Sequence, residues 1–446
     1  MALIAACLLG YLLQLSNGTL HPEAFNLTCV VLVLATFAAF LRDRTLVKLE
    51  APALGLVFIG LVVIFGIHFT TAPGVYLRVG GDAFIEHHKY AVAGALLAGA
   101  AFAARKWQPF IVVGVLIVYA FLGVWLLKAS PAPMIDVWYW HKAGYEALAA
   151  GTNPYGIWMP NIYGHTQWFA PGLADAQHVF VGYPYPPVTM LLGWLGHLAK
   201  ADYRYFNLVA QLGAGAFLAF TRPGRVAMLA CIVFLFTPRG LFVLEQGWTE
   251  ATSSLAITAC VCVAVRWPKA LPWVFGLMLG VKQYFVFALP LLPLLLGTYK
   301  PRELGKFLLK AAILPAIITL PFLLWSPGAF FNSVVAFQAK QPFRADALSV
   351  MAWLAQNGGP MLPLNLSFLL AGGAAGLSAW KSEKSASAFS AALALTLLFF
   401  FFFAKQAFTN YYYLILACLC AAAAAGGAAL VSGDRASSKA DTASPT

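Results

Sequence analysis

The sequence predicts an all-α fold, a polytopic transmembrane helical bundle, and three observations predict it. Of its 446 residues, 61% are hydrophobic and only 10% are charged, a balance that fits no soluble class. Apolar runs of roughly 18 or more residues, enough to span a bilayer, recur along the chain. These runs are continuous rather than alternating, which excludes a β-barrel. About 13 to 15 membrane segments are expected, with a surface helix in a large extracytoplasmic loop. No run is followed by a small-residue signal cleavage site.

Charge placement sets the expected topology. The net charge is +12, but the basic residues are scattered over short loops, so they argue for membrane orientation and against a nucleic-acid partner. Arg42, Arg44 and Lys48 share one loop, Arg105 and Lys106 a second, Arg266 and Lys269 a third. Lys300, Arg302 and Lys306 follow, then Lys381 and Lys384, then Arg435 and Lys439. The positive-inside rule makes these loops cytoplasmic, which places the stretch from Met134 to Pro187 outside. The seven cysteines all lie inside apolar runs and read as small core residues.

Residues 1–105 form an N-terminal transmembrane extension with about four spans. Its one polar insertion carries Glu86, His87 and His88. Adjacent histidines point to different faces, so a wet interfacial loop is expected there rather than a metal cluster. A fifth run then delivers the chain to the Met134 to Pro187 loop, the longest segment that cannot lie within a bilayer.

Inside that loop Asp136 precedes VWYWHKAGYEALAA and Gly151 follows it, the N-cap and C-cap pattern of a short helix. Val137, Trp140, Gly144, Ala147 and Leu148 fall on one face, with Lys142, Tyr145 and Glu146 elsewhere, so the helix should lie on the membrane surface. Asn153-Pro154 turns the chain, and Pro184, Pro186 and Pro187 stiffen its return. His165 and His178 are open to a metal-ligating or acceptor-orienting role, although no metal is required.

The run near 187 to 199 is short for a full crossing, and the basic turn at Arg222 and Arg225 would prefer the cytoplasm. Either that run is a partial helix or the two arginines break the rule. The stretch from Ala270 to Leu296 carries Lys282 at its middle and basic loops at both ends. Two short helices in a hairpin satisfy both facts, and an intramembrane lysine is a functional-site candidate. Snorkelling to the interface is its bland alternative. A second external loop, Ser326 to Ser349, holds Arg344 and Asp346, and positive charge on that side calls for an anionic partner such as a lipid headgroup. The last runs bracket Lys405 to Tyr413, and the polar tail, residues 432–446, is expected to be disordered and cytoplasmic. No Gly-rich phosphate loop, zinc pattern or nucleophile elbow occurs.

Asp136-Val137-Trp138-Tyr139, then Gly151-Thr152-Asn153-Pro154-Tyr155, then Tyr185-Pro186-Pro187 resemble the first external loop of GT-C superfamily integral-membrane glycosyltransferases. They are most similar to the polyprenyl-phosphate-mannose-dependent alpha-mannosyltransferases and their uncharacterised bacterial relatives. Glu245-Gln246-Gly247, Gly280 to Tyr284, Gln338 to Ser349 and Lys405 to Tyr413 recur in the order such proteins show. The resemblance covers roughly residues 107 to 431 and implies a GT-C-like catalytic domain over 106–431.

That resemblance implies an inverting, metal-independent hexosyltransferase with no cofactor. It would move mannose or another hexose from a polyprenyl-phosphate-sugar donor to a hydroxyl of a lipid or glycan acceptor. The site would face the periplasm or exterior of a bacterial plasma (inner) membrane. Asp136 matches the family's general base, and Trp138 and Trp140 beside it would raise its pKa usefully. Lys282, Arg344 and Lys405 would hold the donor phosphate. Tyr139, Tyr155, Tyr185, Glu245, Gln246, Gln338 and Tyr411 are possible substrate contacts. Asp136 as a mere helix cap explains the local pattern without catalysis. A transporter or flippase of lipid-linked sugars, and an O-antigen ligase or polymerase, remain rival readings; the first lacks an internal repeat.

Overall fold

The computed structural model describes residues 1–41, 50–78, 81–103 and 105–426. The loop with Arg42, Arg44 and Lys48 and the tail from Ser432 lie outside these residues.

The described chain is helical apart from one antiparallel pair of two-residue strands, Met159–Pro160 with His178–Val179. The extension supplies α1 (Ala2–Ser16), α2 (Pro22–Phe40), α3 (Glu50–Thr70) and α4 (Gly81–Ala103). After α5 (Gln108–Ala129) comes the Met134 to Pro187 loop with α6 (Asp136–Ala149). The chain re-enters the bundle through α7 (Pro187–Lys200), α8 (Arg204–Thr221), α9 (Arg225–Phe236), α10 (Pro238–Gln246), α11 (Glu250–Arg266), α12 (Leu271–Val281) and α13 (Leu292–Leu296). It continues as α14 (Pro301–Trp325), the short α15 (Pro327–Phe331) and α16 (Phe337–Lys340), then α17 (Val350–Gln356), α18 (Leu366–Lys381), α19 (Ala386–Phe402) and α20 (Thr409–Gly426).

Among the described residues five helices are long and apolar enough to cross a membrane: α2, α3, α5, α14 and α20. A sixth is counted if α9 and α10, bent by 52° at a break, form one span. Pro238 makes that break, since it has no N–H to donate. The expected 13 to 15 segments came from hydropathy. In the structure many of those apolar runs form helices too short for a crossing, such as the 14 residues of α7 and the 11 of α12.

The run around Lys282 does split. Helix α12 ends at Lys282, whose backbone is extended at φ −150° and ψ 141°, and a 3-10 turn over Gln283–Ala288 follows. Large apolar side chains such as Leu309, Ile317 and Leu324 on α14 are exposed, as expected of a face turned to lipid.

One hydrophobic core joins the extension to the rest of the bundle. Helix α1 packs against α2, α3 and α20, and α2 against α19. A second core belongs to the Met134 to Pro187 loop and is built largely of rings, with Trp140, Tyr145, Tyr155, Phe169 and Tyr183 joined by Phe322, Phe330 and Phe337. It includes Tyr145, which the helical pattern had left off the apolar face. That phenol packs 5.1 Å from His197 and is fully buried.

Candidate active site

The candidate site is the group of charged and aromatic side chains gathered around Asp136 where the aromatic loop core meets the bundle. Asp136 is the first residue of α6 rather than its cap, which is Ile135. Its Oδ1 accepts the Val137 amide at 2.8 Å, and its own amide donates to the Tyr163 hydroxyl at 3.3 Å. The C-terminal end of α6 follows the sequence pattern, with Gly151 at φ +70° just beyond Ala150. Burial pushes the Asp136 carboxyl up to about 6, against the lowering pull of the Val137 amide and the Arg344 charge.

The floor of the site is an ion pair. Lys282 Nζ donates to Glu250 Oε1 at 3.0 Å and to the Thr249 hydroxyl, and it lies 4.4 Å from the centre of the Tyr185 ring. Tyr284 donates to the same Glu250 oxygen at 2.7 Å. Lys282 therefore has two of its three protons in hydrogen bonds and its charge against a ring. It keeps a firm hold on Glu250. Thr249 and Glu250 are held in place by the turn before them. Gly247 sits at φ +69°, where an added Cβ would lie 2.1 Å from the Tyr203 hydroxyl, and that hydroxyl donates to the Gly247 carbonyl at 2.7 Å.

The rim comes from three segments zipped together. Arg344 N donates to the Lys405 carbonyl at 3.0 Å and Leu348 N to the Ala407 carbonyl at 2.9 Å. Leu20, in the turn between α1 and α2, donates its amide to the Asp346 carbonyl at 2.8 Å. Arg344 pairs with Asp346 through two bonds of 2.8 and 2.7 Å and stacks 5.0 Å from both Trp168 and Phe408. Lys405 Nζ donates to the Ala339 carbonyl at 2.8 Å, leaving two protons, and partial burial pushes its ammonium down from the usual value.

Two tyrosines connect Asp136 and the floor. The charges of both Asp136 and Glu250 act on Tyr185 and on Tyr411. Burial and those carboxylates push the Tyr185 phenol well above its usual value. Asp136, Arg344, Lys282, Tyr185 and Tyr411 thus share one electrostatic neighbourhood, with Lys405 joined to it through the Arg344 backbone.

Other residues singled out in the sequence make contacts of their own. Tyr155 is buried in the aromatic core and donates to the Tyr185 carbonyl at 3.0 Å. Glu245 is fully buried, and its carboxylate accepts the amides of Val75 and Tyr76 at 2.7 and 2.8 Å. Gln246, also buried, donates to Glu245 at 3.1 Å. Gln338 is exposed, with its amide 3.4 Å from the Pro184 carbonyl. Tyr139 is half-buried, edge-on to Trp138 at 5.1 Å. Among the described residues no three His, Cys, Asp or Glu side chains gather as a metal site. His165 instead lies against Trp168 at 4.6 Å, and His178 lies 3.7 Å from Asp175.

Four contributors had no sequence pointer to this site. Glu250 ends the polar interruption from Leu244 to Glu250 between two apolar runs. Tyr163 and Trp168 lie in the middle of the Met134 to Pro187 loop. Tyr76 belongs to the extension, yet its hydroxyl donates to the Met134 carbonyl at 2.8 Å and it feels the Asp136 charge. Acidic residues at the start of an apolar run, as Glu250 is, were the one available signal.

No family profile and no curated protein matches the chain. Among solved structures it is similar to ArnT from Cupriavidus metallidurans bound to undecaprenyl phosphate, at 17% identity and a TM-score of 0.46. The likeness covers 73% of this chain and 60% of that one, so the chain spans less than two thirds of that protein's length.

Proposed function

We propose that the protein is a GT-C-type glycosyltransferase that moves a hexose, with mannose as the family-weighted choice, from a polyprenyl-phosphate donor to an acceptor hydroxyl at the extracytoplasmic membrane face. The observation that carries this reading is the Asp136 carboxyl, raised by burial to about 6 and acted on by the charge of Arg344, whose amide is bonded to the Lys405 carbonyl. A base is most effective when its pKa lies near the working pH. Asp136 takes the proton of the acceptor hydroxyl as that oxygen attacks the anomeric carbon. The bond from that carbon to the phosphate oxygen breaks on the opposite side, so the configuration inverts and polyprenyl phosphate leaves. Positive charge on the sugar and negative charge on the phosphate grow together. Arg344 and Lys405 stabilise the phosphate, and Lys282, its charge matched by Glu250, keeps that acid in place.

The shorter apolar helices would complete the count of about 13 to 15 membrane segments, in a bacterial plasma membrane with the site outside. The N-terminal extension then braces the site: Leu20 reaches the rim and Tyr76 reaches the loop that delivers Asp136.

The experiment is transfer from polyprenyl-phospho-hexoses by purified protein in detergent, comparing wild type with D136N. Transfer should be lost in D136N while donor binding stays. Undiminished transfer would remove Asp136 as base. Gated passage of the intact lipid-linked sugar across proteoliposomes without transfer would favour a flippase.

A further inference from the structure

We propose that Glu250 binds a hydroxyl of the transferred sugar through its Oε2. This rests on the transferase reading and assigns a role to the buried acid beside Lys282. Glu250 is fully buried, and Lys282 Nζ and the Tyr284 hydroxyl both donate to the same oxygen, Oε1. Oε2 is buried and has no hydrogen-bond partner. A buried carboxylate oxygen without a donor is costly, and native structures pair such an oxygen with ordered water, an ion or a ligand donor.

The surroundings indicate the kind of donor. Lys282 cancels the Glu250 charge at 3.0 Å, so the floor is a neutral cradle that suits a polyol better than a second phosphate. Tyr185, Tyr284 and Tyr411 all feel the Glu250 charge and are half-buried. Two of them, Tyr185 and Tyr411, also feel Asp136. A hexose ring between the two carboxylates would meet aromatic faces with its C–H surfaces and Oε2 with a hydroxyl. The cationic rim at Arg344 and Lys405 is left for the phosphate. Phosphate and sugar are therefore held by different groups, and this separation can be measured.

The test measures binding of two kinds of probe to the full-length protein: bare polyprenyl phosphate, and polyprenyl-phospho-hexoses carrying mannose, glucose or galactose. Wild type should bind one of the sugar-bearing lipids at least about tenfold more tightly than the bare lipid. E250Q replaces the acceptor at Oε2 with an amide that cannot accept there while the other oxygen keeps Lys282 and Tyr284. It should lose the preference by about 10- to 100-fold, as for a charged hydrogen bond, and hold the bare lipid within about threefold. The double variant E250Q/K282M, which leaves no unpaired lysine, should show the same loss. Equal weakening of both lipids in E250Q, a preference that survives it, or a preference regained in the double variant would overturn the contact. Equal binding of both lipids by wild type overturns it too and leaves the transferase reading standing. Binding of neither lipid by wild type overturns that reading and the contact with it.

Discussion

The floor and the rim of the site each hold one acid–base pair, and the two are built differently. Glu250 and Lys282 at the floor have side chains only 1% and 8% exposed, whereas Asp346 and Arg344 at the rim are 49% and 24% exposed. The floor pair has given its charges to one another and to Thr249, Tyr284 and Tyr185. The rim pair meets water and two aromatic rings. Asp136 lies between them and feels Arg344. A closed pair organises the site and an open pair leaves charge available for a ligand, so stability should depend on the floor and phosphate recognition on the rim.

The largest effect tests the residue between the pairs: D136N should lower transfer by about 10²- to 10⁴-fold, the usual contribution of a general base. Donor affinity should be preserved, as read by competition with bare polyprenyl phosphate. Next, K282M should cost about 3–5 kcal/mol of stability in unfolding in detergent, since it strands a buried carboxylate. At the rim, R344Q should weaken transfer by about 10-fold, near one charge-assisted bond to phosphate, with little change in melting temperature. The smallest effect belongs to D346N, below about 1 kcal/mol because its partner is solvent-screened. A K282M protein as stable as D346N would erase the contrast.

The helical class was legible because apolar runs of span length need no tertiary information. Lys282 stood out because a lysine within such a run is costly anywhere else. The loop helix was legible from its ends, yet its inward face was mistaken at Tyr145, whose hydroxyl suggested exposure while its ring fills a gap beside His197. The span count was less legible, because hydropathy registers apolar residues and not the breaks at Pro238 and Lys282. Glu245 and Glu250 looked alike in the sequence. Only the fold separates them, since the Val75 and Tyr76 amides close one carboxylate and leave the other with a free oxygen. Contacts between segments hundreds of residues apart, such as Leu20 with Asp346, have no local signature.

The pH dependence of kcat/KM tests the role of Asp136 most directly. Burial raises its carboxyl from 3.8 to about 6, and a base works only when ionised. The rate should therefore be flat above about pH 6 and fall about tenfold per unit below it. Arg344 lowers that pKa, so R344Q should move the limb to higher pH. A rate that stays level down to pH 4, or a limb that R344Q leaves in place, would contradict the account.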